Sequence, residues 1–400
     1  MSFNFLQLIG KGGYAEVYLL QDKTSNKYYA GKYVKPRKMN PKELSLYQTE
    51  KAILRSYYVN PNQNIIHLYN VFRYEKNNND ELVVLEYCNG GSLLQYLYDY
   101  ITRNGKPFPE NLVRHLMKQI LKGVNSLHAR GIIHRDLKLN NILLKYNNNN
   151  DLISKNIYAA EIKIIDFNTS YFPNADLPKT VIGTLPNMAP TIINNAYGFE
   201  GFKIYDEKID IWSLGTLCYE MLFGKPLFGN IQNYNMVQNI YNCNFNIPNT
   251  ISSQARNFLY SMLQKKESDR LSAAQLLNHD FIKNINLVHL ENNYLNQHFN
   301  NTQIINKNLN NINQMNNNKK QLTNIFFKDS DGINTVIITN INETLDNVIK
   351  RYLCKINRHD LLNNYKTKIR FIANFKILNS CLNNTIEQIG LMETLVQVII

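Results

Sequence analysis

Acidic residues, tryptophan and long apolar runs are what this sequence has little of. Asp and Glu number 31 against 44 Lys and Arg, giving a formal net charge of +13. Such an excess ordinarily raises nucleic acid or an anionic membrane face as a partner. Here the lysines are scattered among Asn, Ile and Tyr without a basic stripe. The balance therefore reads as a codon-usage bias, and no nucleic-acid partner is expected. No uninterrupted apolar stretch is long enough to span a bilayer, and no charged-then-apolar leader follows Met1. These absences predict no membrane span and a cytoplasmic location. The five cysteines, Cys88, Cys218, Cys243, Cys354 and Cys381, lie far apart and form no CxxC pair or zinc spacing. They are expected to be reduced, intracellular thiols. No internal repeat is apparent.

Apolar residues are plentiful: 44% of a 400-residue chain supports real cores and exceeds one ordinary domain. From Phe3 to Val34 the pattern is aromatic and β-branched around glycines at Gly10, Gly12 and Gly13, which predicts a hairpin. Helical spacing follows from Pro36 to Tyr58, then strand character at Ile65-Ile66 and Leu82–Leu85. A small sheet with one helix results. After Asn89-Gly90-Gly91 the texture changes to amphipathic helices at Leu112–His128, Ile209–Phe223, Ser253–Leu263 and Ser272–Leu277, and Asn147–Asn150 reads as a hairpin tip. Residues 284–321 are dominated by asparagine and predict a linker, with Leu287–Leu295 able to form a short helix. Residues 322–400 read β-β-α-β-β, a two-layer α+β domain.

The chemistry is concentrated in His134-Arg135-Asp136-Leu137-Lys138-Leu139-Asn140-Asn141, followed by Asp166-Phe167-Asn168. A carboxylate to accept a hydroxyl proton, a lysine for developing phosphate charge, and an amide with a second carboxylate for magnesium are what phosphoryl transfer needs. On these runs, residues 1–283 resemble the eukaryotic protein kinase domain, and the resemblance covers its whole length. It implies an α+β bilobal protein kinase fold, with a small β-rich N-lobe and a helical C-lobe. ATP and Mg²⁺ are the implied cofactors, and proteins bearing Ser or Thr are the implied substrates.

Ile9-Gly10-Lys11-Gly12-Gly13-Tyr14-Ala15-Glu16-Val17 resembles the glycine-rich loop, with Val17 covering the base. Ala30-Gly31-Lys32 matches the lysine-bearing third strand, and Glu50 falls where the family places the partner of that lysine. Glu86-Tyr87-Cys88 resembles the hinge whose backbone meets adenine, behind which Leu85 is the gatekeeper; Leu143 matches the pocket floor. By the same resemblance Asp136 is the base, Lys138 stabilises the transferring group, and Asn141 and Asp166 are the metal ligands. Lys138 and Thr184 are similar to the Ser/Thr class. Asp210 matches the residue that anchors the catalytic loop, while His134 and Phe167 read as packing.

Three positions depart from the family. Asn168 replaces a glycine, which asparagine can do where a left-handed backbone is needed. Thr191 replaces the glutamate that pairs with a later arginine, here Arg270, so the fold must rearrange, hydrate Arg270 or lose stability. Asn187 replaces a common tyrosine. Together with Ala15, Asn168 and Thr191 leave a pseudokinase scaffold as the alternative reading. Arg135 beside Asp136 implies activation-loop phosphorylation, with Thr180 as the candidate. Ser92 and Asn140 stand where kinases selecting basic substrates carry acids, so no strong preference for such substrates is expected. The phrases Glu86–Leu93 and Gly131–His134 are similar to unc-51-like kinases.

The terminal residues 322–400 resemble ubiquitin-like domains, chiefly in Lys368–Leu378 and Thr385–Leu391 with Thr394–Val398 as a last strand. The final Ile400, with no Gly-Gly before it, predicts a β-grasp module that docks a protein partner instead of being conjugated. A helical regulatory tail is the competing reading.

Overall fold

The structure is a computed structural model. It describes residues 2–12, 15–74, 79–171, 181–283, 322–328, 334–340, 344–355, 370–373, 376–377 and 395–399. Gly13, Thr180, the expected linker 284–321 and the run Thr385–Leu391 lie outside the described residues. The chain divides into two compact units, Met1–His298 and Phe299–Ile400.

In the first unit, alternating aromatic and β-branched residues build β1 (Phe3–Lys11), β2 (Ala15–Asp22) and β3 (Tyr28–Val34). With β4 (Leu68–Tyr74) and β5 (Asp80–Glu86) they form an antiparallel sheet in the order β1-β2-β3-β5-β4. The helix expected over Pro36–Tyr58 is broken. A 3-10 turn at Pro36–Lys38 precedes α1 (Pro41–Ser56), because Asn40 accepts a hydrogen bond from Glu43 N while the Glu43 carboxylate accepts from Asn40 N. That reciprocal cap, followed by a proline that has no N–H to lose, fixes the start of the helix at Pro41.

The large lobe is helical. It contains α2 (Leu93–Asn104), α3 (Glu110–His128), α4 (Asn149–Ser154), α5 (Pro190–Tyr197), α6 (Lys208–Phe223), α7 (Tyr234–Tyr241), α8 (Ser253–Met262), α9 (Ala273–Leu277) and α10 (Asp280–Lys283). Helices α2, α5 and α7 were not distinguished in the sequence pattern. The expected tip at Asn147–Asn150 is instead the start of α4, whose first turn is capped by Asn148; it lies between β6 (Ile142–Lys145) and β7 (Glu161–Ile164). α6 is buried nearly all round and carries the fully buried Trp212. A Cβ at Gly215 would lie 2.7 Å from the Leu263 side chain. Glycine there allows α6 to meet the end of α8 closely. One apolar core runs from Ile53 and Leu54 of α1 through α3 to α6.

In the second unit β8 (Leu322–Lys328) and β9 (Asn334–Asn340) precede α11 (Leu345–Lys355), followed by β10 (Arg370–Ala373), β11 (Lys376–Ile377) and β12 (Leu395–Ile399). The sheet order is β11-β10-β12-β8-β9, with β12 parallel to β8 and the other pairs antiparallel. This adds a short strand to the expected β-β-α-β-β order. Leu345, Val348 and Ile349 give α11 a buried apolar stripe at i, i+3, i+4 spacing. Among the described residues no helix is long and apolar enough to cross a membrane.

Candidate active site

Lys32 sits mid-strand on β3, opposite Val17 on one side and Val83 on the other. Its Nζ donates to both carboxylate oxygens of Glu50 on α1, at 2.7 and 2.6 Å. The side chains are 14% and 6% exposed, so water screens this pair little. Ile9, Gly10 and Lys11 lie on β1, and Gly10 pairs with Val17 on β2. Gly12 N donates to Ala15 O at 2.8 Å, closing the loop. A Cβ at Gly10 or Gly12 would meet protein atoms only at ordinary contact distance, 3.5 Å or more. The bare backbone there is not demanded by internal packing. Ala15, in place of a third glycine, pairs with Val34 and has no left-handed backbone.

Ala30 pairs with Leu85, the residue before the hinge. The Cys88 backbone N–H and C=O have no partner among the described residues, which leaves them available to an adenine edge. Burial pushes the Cys88 thiol up to about 12, so it is neutral. The Glu86 carboxylate turns away from the cleft to bond Lys145 of β6, and Lys163 of β7 stands 3.2 Å from it. These contacts fix the hinge to the ribbon that carries the half-buried Leu143, which pairs across the ribbon with Lys163.

The catalytic loop hangs from Asp210 of α6. Its fully buried carboxylate accepts from the backbone N–H of His134 and of Arg135, each at 2.8 Å, and lies 2.9 Å from His128 Nε2. Burial alone would raise the Asp210 pKa, but these bonds outweigh it and hold the carboxyl below its usual value. The anchoring role expected of Asp210 is thus visible. His134 and Phe167 are fully buried with ring centroids 5.3 Å apart, as packing groups.

Arg135 adopts a left-handed backbone (φ 69°) and carries the chain into Asp136. Its guanidinium donates to the carbonyls of Thr169 and Ser170, at 2.5 and 3.2 Å, and to Tyr205 Oη at 3.1 Å. Asp136 Oδ1 accepts from Thr184 Oγ1 at 2.6 Å. Its Oδ2 accepts from Lys138 Nζ at 2.8 Å and from Asn141 Nδ2 at 3.2 Å. Lys138 also reaches Thr184 Oγ1 at 2.8 Å. From sequence the threonine is only a class marker; folding makes it a direct neighbour of the Asp136 carboxylate.

Asn141 Nδ2 is further tied to the Asp136 carbonyl at 2.8 Å, so its Oδ1 is the atom left uncommitted. Asp166 follows β7 with φ 68°, and its carboxylate has no hydrogen-bond partner among the described residues. Two hard oxygen donors with free lone pairs fit Mg²⁺. Among the described residues no group of three or more His, Cys, Asp or Glu gathers to hold a metal. A divalent ion here would rest on these two side chains and on oxygens brought by water and phosphate.

One expectation is corrected. Asn168 does not need a left-handed backbone: the strained residue is Asp166, two positions earlier. Arg270, deprived of a glutamate at 191, is neither hydrated nor orphaned. It is 1% exposed and donates to the carbonyls of Gln264, Lys208 and Lys265 at 2.8, 2.8 and 3.2 Å, with its guanidinium 5.3 Å from the Trp212 ring centroid. Burial pushes the Glu267 carboxyl above its usual value, against the opposing influence of Thr191 and Arg270, and its field in turn reaches Arg270. Burial nevertheless lowers the arginine to about 10. Asn187 bonds Thr216 at 2.8 Å, so it too is integrated.

A β-rich lobe bearing a Lys–Glu pair, followed by a helical lobe bearing an Asp–Lys–Asn loop, defines a bilobal kinase fold. The family model described as the protein kinase domain matches residues 3–282. The chain belongs to that family. It is similar to serine/threonine-protein kinase PLK4 of Xenopus laevis, 31% identical over 284 residues, covering 70% of this chain and 27% of that one. It is similar also to calcium-dependent protein kinase 4 of Plasmodium falciparum (31% over 283 residues, 70% and 49%) and to an Aurora kinase of Debaryomyces hansenii (32% over 290 residues, 70% and 62%). The chain thus spans 27% to 62% of the length of these curated relatives.

Proposed function

We propose that this chain transfers the γ-phosphoryl group of ATP to serine and threonine hydroxyls of proteins. The observation that carries the reading is the Asp136 cluster: a carboxylate held by Lys138, Asn141 and Thr184 within hydrogen-bond distance, with an Asp166 carboxylate that has no hydrogen-bond partner among the described residues. Asp136 accepts the hydroxyl proton as the oxygen–phosphorus bond forms and the bond to the β-phosphate oxygen breaks, releasing ADP. Lys138 carries positive charge to the oxygens of the transferring group. Lys32, oriented by Glu50, binds the α- and β-phosphates, and Ile9, Val17, Ala30 and Leu143 enclose the base against the Glu86 to Cys88 hinge. Asn141 Oδ1 and Asp166 would hold Mg²⁺, which when bound neutralises phosphate charge.

The phrases Glu86–Leu93 and Gly131–His134 support a place near the unc-51-like group, and the relatives named above carry other kinase names. For residues 322–400, the sheet order with a central parallel β12–β8 pair supports a ubiquitin-like β-grasp module that docks a protein partner. The test of the main reading is phosphate transfer from labelled ATP to a generic protein substrate. Wild type should label it, and Asp136→Asn should lose at least about a hundredfold in rate. Equal transfer by both would support a pseudokinase scaffold.

A further inference from the structure

Helix α1 is attached to the small-lobe sheet at a second place besides Lys32–Glu50. Tyr47 Oη donates to Glu81 Oε2 at 2.5 Å, and Lys51 Nζ reaches the same oxygen at 2.7 Å while lying 4.7 Å from the Tyr47 ring centroid. Glu81 Oε1 accepts from Arg73 Nη2 at 3.3 Å on the neighbouring strand. Tyr47 is 1% exposed and Glu81 5%. A carboxylate this deep would be costly unless all its lone pairs were engaged, and here both oxygens are.

The placement of this contact gives it a role. Tyr47, Glu50, Lys51 and Leu54 stand at i, i+3, i+4 and i+7, one face of α1. On the sheet, Glu81 pairs with Val34 and Val83 pairs with Lys32, so the two attachments are two residues apart along the same pair of strands. One attachment point would leave α1 free to roll about it. Two, the second through Tyr47 and Lys51 on either side of Glu50, fix both its rotation and its distance from β3.

We infer that Glu81 is a positioning residue for Glu50: through Tyr47 and Lys51 it clamps α1 against the sheet and keeps the Lys32–Glu50 pair assembled. The inference rests on the proposed phosphotransfer for its kinetic consequence, but not for its structural one. Glu81 makes its contacts through α1 and touches neither phosphate nor substrate. Its effect should therefore run through Glu50 and vanish when Glu50 is already removed.

The experiment uses the full chain. Glu81→Gln, Tyr47→Phe and Lys51→Arg are compared with wild type for kcat/KM toward ATP and for amide hydrogen exchange in residues 41–56. Glu81→Gln and Tyr47→Phe should lower kcat/KM for ATP at least tenfold and speed exchange in α1 at least tenfold, leaving α3 and α6 protected. Lys51→Arg, which keeps the charge, should stay near wild type. Combining Glu81→Gln with Glu50→Gln should cost no more than Glu50→Gln alone. Additive losses, or unchanged protection in α1, would overturn the clamp. If Glu81→Gln does not fold, Tyr47→Phe, which removes one hydroxyl, decides the same question. A wild-type chain that transfers no phosphate would sink the proposed function, and hydrogen exchange alone would then judge the clamp.

Discussion

Thr184 and Asp136 share a 2.6 Å hydrogen bond across 48 residues of chain, and Lys138 bridges them at 2.8 Å to each. The threonine hydroxyl therefore orients one oxygen of the Asp136 carboxylate while the lysine orients the other. Hydrogen bonds to a charged group contribute about 1.5–3 kcal/mol, and about 1.4 kcal/mol is tenfold in rate. Thr184→Val should lower kcat about tenfold or more with little change in the KM for ATP. Thr184→Ser, which keeps the hydroxyl, should remain within about threefold. Steady-state kinetics of the two variants separates orientation of the base from nucleotide binding.

Arg270 is satisfied by three backbone carbonyls, and its nearest carboxylate influence comes from Glu267 instead of from position 191. Arg270→Met should cost about 3–5 kcal/mol in urea denaturation, because it strands those carbonyls and removes the cation nearest the half-buried Glu267. Thr191→Glu should not stabilise. It would set a second carboxylate against Glu267 and lower the melting temperature, and adding Glu267→Gln should recover most of the loss. A Thr191→Glu single variant that melts higher than wild type would show that the relocated carboxylate is misread.

Since Asn168 lies outside the left-handed region, its side chain is not there to permit a turn. Asn168→Ala should keep phosphate transfer within about threefold. Asp166, at φ 68°, is the residue whose backbone is strained, a cost of about 1–3 kcal/mol where L side chains rarely go. Its replacement by Asn should abolish Mg²⁺-dependent transfer while leaving the melting temperature within a few degrees. Transfer assayed against Mg²⁺ concentration reads both effects.

His115 on α3 is held neutral: burial, with some help from Lys118, lowers its pKa from 6.5 to about 4. Its ring lies 3.1 Å from Gln119 Nε2 and packs on Tyr158. A histidine that titrates lower when folded stabilises the native state fully above about pH 6.5 and loses that stabilisation as pH falls toward 4. The contribution is of order 3 kcal/mol. Urea unfolding should therefore weaken between pH 6.5 and 4, and His115→Gln should flatten that slope.

Much of the site was legible because phosphoryl transfer constrains residue types at short spacing. The run from His134 to Asn141 and the nearby Asp166-Phe167 carry their chemistry in order. Strands β2, β3 and β5 and helices α3 and α8 were legible from their apolar period, whereas α6, expected to be amphipathic, is apolar nearly all round and was legible from the length of its apolar run. Short helices such as α5 and α7, at eight residues each, offer too few turns for a period to rise above the background. The contacts of Glu81 and Glu267 gave no local signal at all. A shielded carboxylate looks in sequence like any exposed one, and only what the fold brings to it, Tyr47 and Lys51 for one and the buried Arg270 for the other, distinguishes it.

By itself, then, the sequence determined the kinase family and the order of the two lobes, since each is written in neighbouring residues whose chemistry or period is local. Tertiary structure alone decided that Thr184 meets Asp136, that Arg270 is held by carbonyls, and that α1 is tied down at Glu81 as well as Lys32. Those outcomes depend on which buried polar groups find partners at long chain separation. In a low-dielectric interior an unpaired charge costs so much that the fold must be arranged to meet it.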